Sequence, residues 1–219
     1  MTGLSLRTIT RPACLLYFAT CSLGVICGMW PAALYVPPGG ADPSTGPLPV
    51  LSFLAVFQSL FFMLVYPVVV MRREKESSWL NVIEMCVMSL VTIPLYYLSS
   101  VFSDASFIDI AKVWLVVIAT FPLGHGAGCL FRHRTLGSVA LSGVLMLVFG
   151  LPLIYYILIE FCPGIPDASV VADCSPVLFL WAAGQSHIGD CPLPVWPPLV
   201  WAVTGMVVLL WSREPDSVI

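Results

Sequence analysis

The sequence predicts an all-α polytopic membrane protein. It has six transmembrane helices, both termini in the cytoplasm, and a short re-entrant element between helices five and six. Three observations carry that reading. The first is composition: 59% of the 219 residues are hydrophobic and 10% are charged, against about 45–50% and about 25% in soluble domains. The second is grouping, because the apolar residues gather in runs near the roughly 20 residues that a helix needs to cross hydrocarbon. The third is the sorting of basic residues between alternate connections. Open sheet is excluded in such a setting, since lipid cannot satisfy its edge groups.

The first run is Ala13–Val36. Arg7 and Arg11 precede it as they would a signal peptide, but the stretch is too long for a signal core and five more follow, so it reads as a span. Pro37, Pro38, Gly39, Gly40 and Pro47 to Pro49 punctuate the next gap. The second and third runs are Val50–Met71 and Leu80–Phe102. Ser103 and Asp104 mark a short turn before the fourth, Phe107–Phe131, and Leu136–Phe161 is the fifth. A long proline-containing connection from Cys162 to Pro194 leads to the sixth, Val195–Trp211. The whole chain, 1–219, reads as one transmembrane domain.

Eight of the nine Lys+Arg residues share one face under this threading: Arg7, Arg11, Arg72, Arg73, Lys75, Arg132, Arg134 and Arg213. Only Lys112 falls on the other. The positive-inside rule therefore puts both tails in the cytoplasm of a plasma (inner) membrane protein. Trp30, Tyr35, Tyr96, Tyr97, Tyr155, Tyr156 and Trp196 fall near outer helix ends, and Trp79 and Trp211 near inner ones, as an interfacial aromatic belt.

Charge is densest in Arg72, Arg73, Glu74, Lys75 and Glu76, followed by Trp79, in the inner connection between spans two and three. Mixed signs at helical spacing suit a short surface helix, with Arg72 reaching Glu76 at i,i+4. Such a helix can dock a soluble partner. Within the spans, Gly24 with Gly28 and Gly124 with Gly128 form small-xxx-small pairs that mark close helix contact. His125 reads as a packed ring, Glu84 as reaching the interface or pairing with Arg72 or Arg73, and Asp109 with Lys112 as a local ion pair. Gln58 is the main uncharged polar side chain inside the spans besides serines and threonines.

Cys162, Cys174 and Cys191 share the outer side, where an oxidising compartment pairs two of the three. The chain has no P-loop, no C-x-x-C-H and no metal-like spacing of ligands. No catalytic residue, metal or cofactor is predicted, and no nucleic acid. Between spans five and six, Pro176–Ala183 is apolar but too short to cross. Backbone of that kind is tolerated at membrane depth only when protein or a water-lined cavity surrounds it.

Three stretches together carry a resemblance. They are "MRREKESSWLNVIE" (Met71–Glu84), "RHRTLGSVALSGVLMLVFGLPLIYYI" (Arg132–Ile157) and "CSPVLFLWAAGQ" (Cys174–Gln185). In place and character they resemble the transmembrane subunits of ATP-binding-cassette exporters of the second class, which include the permease of the cytochrome c maturation exporter. The resemblance implies a permease that works with a separate cytoplasmic ATPase and a second permease subunit. It implies that Arg72, Arg73, Glu74, Lys75, Glu76 and Trp79 form the docking segment, and that Pro176, Phe179, Trp181 and Gly184 lie in an outer gate. One departure is plain: Ser77, Ser78, Trp79 and Leu80 stand where the family continues a longer amphipathic helix. The alternative reading is a non-catalytic integral subunit of a larger respiratory or photosynthetic complex.

Overall fold

A computed structural model describes residues 11–30, 48–68, 78–131, 134–161, 168–185 and 194–211. Among them every regular element is a helix. In chain order these are α1 (Arg11–Met29), α2 (Val50–Val68), α3 (Ser78–Val91), α4 (Ile93–Ser103) and α5 (Phe107–Leu130). Then come α6 (Arg134–Leu145, continuing through Met146–Gly150 and Leu151–Phe161), α7 (Ala168–Cys174), α8 (Pro176–Gln185) and α9 (Trp196–Trp211).

Three helices are long and apolar enough to cross a membrane: Val50–Val68, Phe107–Leu130 and Leu136–Phe161. The pair α3–α4 makes a fourth if it is counted as one bent span. Over the described residues, α1 and α9 are apolar but shorter than a crossing requires. Among the described residues the regular structure is thus all helical and compatible with an integral membrane setting, with three to four of the six predicted crossings met by length and composition.

α2 is the central helix, with 72% of its span buried, against 28% for α5 and 11% for α6. Neighbouring helices alternate in direction. At one pole the start of α2 meets the ends of α1 and α4: a Cβ on Gly28 would lie 2.5 Å from Val50 Cα, and Leu51 N donates to Ser103 Oγ at 3.1 Å. At the other pole the end of α2 meets α3 and α5, through Tyr66 with Glu84 and Pro67 with Gly128. Gly137 packs on Phe131, and Gly126 on Val208, at that same pole. The helix ends next in sequence to the basic residues at 11, 72, 73, 75, 132, 134 and 213 are therefore gathered together.

Prolines shape three of the helices. The predicted third span is not one straight helix. It breaks at Thr92 with a 41° bend, because Pro94 has no N–H to give the Leu90 carbonyl and its ring disfavours continuous α geometry. In α2 and α6 the ladder instead widens to π geometry, at Phe61–Val65 and Met146–Gly150, just ahead of Pro67 and Pro152. Tyr66 N–H bonds Phe61 O, and Leu151 N–H bonds Met146 O. The next donor in each helix would be a proline, so the carbonyls of Phe62 and Leu147 have no donor in their own ladder.

Helix ends obey ordinary capping chemistry. Ser106 opens α5 with a capping box: its hydroxyl accepts from Asp109 N at 3.3 Å, and Asp109 Oδ2 accepts from Ser106 N at 3.2 Å. Asp104, with φ 54°, closes α4 in the left-handed conformation that aspartate tolerates.

Candidate functional site: a seated helical hairpin and a polar cluster at the helix break

The short helices α7 and α8 form a hairpin that turns at Ser175 and packs on α6, α2 and α5. Its turn sits beside the middle of α6. Ser175 Oγ donates to the Leu147 carbonyl at 3.3 Å, the group that Pro152 leaves without a donor. The hydroxyl also lies 3.5 Å from Leu178 N in the first turn of α8. One serine thus serves the π-helical widening of α6 and the start of α8.

The other end of α8 reaches the start of α2. Ser52 Oγ donates to Trp181 O at 3.2 Å. Gly184 lies so close to Ser52 that a Cβ there would come within 2.6 Å of Ser52 Cα. Trp181 packs edge-on to Phe53 with centroids 5.0 Å apart, and Phe179 edge-on to Trp201 at 5.5 Å. Pro176, Phe179, Leu180, Ala183 and Gly184 are buried. Of the four residues assigned to an outer gate, Pro176, Phe179 and Gly184 are therefore buried, while Trp181 is 37% exposed beside Phe53. Cys174 is a free thiol, while Cys162 and Cys191 lie outside the described residues.

A second constellation, apart from Gln58, escapes sequence inspection. At the break between α3 and α4, four side chains from α1, α2 and the α3–α4 pair meet with almost no exposure: Tyr17 (0%), Gln58 (0%), Thr92 (0%) and Tyr96 (1%). Gln58 Nε2 donates to Tyr17 Oη at 2.6 Å and lies 3.3 Å from Thr92 Oγ1. Tyr96 Oη donates to Gln58 Oε1 at 2.5 Å. Tyr17 Oη and Thr92 Oγ1 are 3.2 Å apart, and Thr92 Oγ1 donates to Ser89 O at 2.7 Å. Both polar ends of the Gln58 amide are satisfied, which burial demands. Tyr96 does not belong to the aromatic belt. The i+4 step from Thr92 turns it inward to Gln58, while Tyr97, at 71% exposure, faces outward.

Polar groups continue along this buried face of α3 and α4, through Glu84 (6%), Ser89 (1%), Ser99 (0%) and Ser103 (0%). Glu84 is buried within the bundle, and its Oε2 accepts from Tyr66 Oη at 3.3 Å; Arg72 and Arg73, its expected partners, lie outside the described residues. The aligned hydroxyls were legible in the sequence only as scattered serines, because a bend hides their common face from a straight helical wheel.

The glycine pairs lie at close approaches. Gly24 and Gly28 face α2 at Phe53, Phe57 and Val50, and Gly124 and Gly128 face α2 at Phe62 and Pro67. Gly124 points a hydrogen at the Phe62 carbonyl, where a Cβ would collide. That contact rationalises how this second orphan carbonyl is met by a weak C–H donor. Two glycines that formed no pair in the sequence close the opposite side of α5: Gly126 meets Gly205 and Val208, and Gly205 sits against the Pro122 and Leu123 backbone. His125, between Gly124 and Gly126 in sequence, is 1% exposed.

Asp109 Oδ1 and Lys112 Nζ form an ion pair at 3.4 Å. Arg72, Arg73, Glu74, Lys75 and Glu76 lie outside the described residues, and Trp79 is on the first turn of α3. Among the described residues no group of three His, Cys, Asp or Glu could hold a metal ion. Comparison with family models, curated proteins and solved structures finds no match for the chain.

Proposed function

We propose that this chain is the membrane-embedded permease subunit of an ATP-driven exporter, working with a separate cytoplasmic ATPase and a second permease subunit. The observation that carries the reading is the α7–α8 hairpin. A pair of short helices between two apolar helices, seated at mid-height on α6 by the Ser175–Leu147 bond, suits a re-entrant element near the mouth of a transport path. Irregular backbone at that depth needs protein around it, and α2, α5 and α6 supply it.

In this reading the chain crosses the membrane six times, with α3 and α4 as one broken span and both termini in the cytoplasm. The pole that gathers the basic flanks faces inward. Arg72, Arg73, Glu74, Lys75, Glu76 and Trp79 receive the ATPase. Pro176, Phe179, Trp181 and Gly184 form the outer gate. No chemistry occurs in the chain itself.

Purification in mild detergent tests this directly. A P-loop ATPase co-purifies with the wild-type chain, and reversing charge with Arg73→Glu and Glu76→Lys removes it. One observation favours the alternative of a non-catalytic subunit in a larger respiratory or photosynthetic complex: α6 buries only 11% of its span within the chain, leaving a long apolar flank for other integral subunits. Recovery with haem, flavin or iron–sulfur subunits, and no ATPase, would replace the permease reading with that one.

A further inference from the structure

We propose that α3 is a lever that turns about Thr92, held in the bent position by the Gln58 clamp. Four observations converge on it. First, the hydrogen-bond ladder is interrupted at the break, because Pro94 cannot donate to Leu90 O, and the two helices meet at 41° across the single residue Thr92. Second, the far side of the break is pinned. The end of α4 is tied by backbone to backbone, Leu48 N to Phe102 O at 3.1 Å, and by Leu51 N to Ser103 Oγ at 3.1 Å. Third, α3 is held at arm's length. It reaches α2 through long side chains, Glu84 to Tyr66, with Met85 and Met88 buried beside them. Its opposite face is bare, with Val87 and Leu90 each 52% exposed. Ser89 Oγ, on a residue 1% exposed, has no hydrogen-bond partner among the described residues.

Fourth, the polar cluster spans the pivot. Gln58 bonds Tyr96 on the pinned side and lies in contact with Thr92 at the pivot. Thr92 in turn holds the last turn of α3 through Ser89 O. Tyr17 ties the same point to α1. Every group in the clamp is uncharged, so its bonds can exchange partners without burying an unpaired charge. A movable element of this kind has local stability below that of the whole molecule. In sequence the lever arm begins shortly after the charged residues 72–76, at Ser78, so a partner that engages those charges acts beside the end of α3 farthest from Thr92. The inference goes beyond the permease reading and is tested without an ATPase, so failure of docking leaves it standing.

The experiment is hydrogen–deuterium exchange on the full chain in lipid nanodiscs. We expect amides of α3 to exchange about tenfold or more faster than those of α4 in the wild type. Gln58→Leu should speed exchange in α3 by about tenfold more, with α5 unchanged. Pro94→Ala restores the missing donor and should slow exchange around Leu90 several-fold. If Gln58→Leu does not fold, Thr92→Val removes only the pivot hydroxyl and carries the same expectation. Equal exchange in α3 and α4 of the wild type would overturn the lever. So would a clamp variant that leaves α3 unchanged, or one that accelerates α3, α4 and α5 alike.

Discussion

Single side chains decide the polar interior. Gln58 is buried in an apolar bundle with both ends of its amide bonded. A hydrogen bond adds only about 1 kcal/mol net, but a buried partner left without one costs about 1–3 kcal/mol. Gln58→Leu should therefore lower stability by roughly 1–3 kcal/mol, measured by denaturant titration in detergent micelles. Tyr96→Phe, which strands Gln58 Oε1, should cost a similar amount. The double variant should cost less than the sum, because the second change removes an orphan made by the first. Additive losses would mean that the two groups do not act as a pair. The Asp109–Lys112 pair is of a different kind. Lys112 is 59% exposed at its side chain, so Lys112→Met should change stability little. Ser106→Ala, which removes the capping hydroxyl of α5, should cost about 1 kcal/mol.

Elements are placed by what proline and glycine allow. Gly205 sits against the Pro122 and Leu123 backbone, which cannot yield as a flexible side chain can. Gly205→Ala should force α5 and α9 apart and destabilise by about 1–3 kcal/mol. Gly143, in α6, has nothing within 4 Å of an added Cβ, so Gly143→Ala should be neutral or raise stability by about 0.5–1 kcal/mol. Thermal unfolding of the two variants side by side checks the contrast. Ser175→Ala should cost about 1 kcal/mol and loosen the hairpin, seen as faster proteolysis within 168–185.

The same elements mark how far the sequence could be read. Runs of apolar residues located α2, α5 and α6, because lipid-length periodicity needs no knowledge of partners. The short α8 was visible through Pro176 and Gly184, which bound an apolar piece too small to cross. The bend at Thr92 was not, although Pro94 was in plain view, since proline inside a membrane helix is often absorbed without a break. The π-helical widenings ahead of Pro67 and Pro152 absorb it in just that way. Tyr96 was misread as a belt residue because depth alone does not say which way a ring points. The Gly126–Gly205 contact joins residues far apart in the chain, and no local spacing announces it.

At the scale of the whole molecule, the helix ends next in sequence to the basic residues at 11, 72, 73, 75, 132, 134 and 213 gather at one pole, while Lys112 lies on the first turns of α5 towards the other. A cysteine replacing Lys75, in a background lacking the native cysteines, should react with an impermeant thiol reagent only from the cytoplasmic side. Labelling solely from outside would invert the orientation and with it the assignment of docking segment and gate. The bundle is also lopsided, with α2 enclosed and α6 largely bare. Chemical cross-linking in membranes through α6 positions such as Val139 and Phe149, both more than half exposed, should capture a neighbouring protein chain.

The widened turn in α2 has one more consequence. Deleting one residue from between Phe61 and Tyr66 would let that stretch close to ordinary α geometry, because the Tyr66 N–H and the Phe61 carbonyl, now five residues apart, would then be four apart. Tyr66 would keep its phenol beside Glu84, and Pro67 its place opposite Gly128. A one-residue deletion here should accordingly be tolerated far better than one in Val50–Leu60, where every later position would rotate by about 100°.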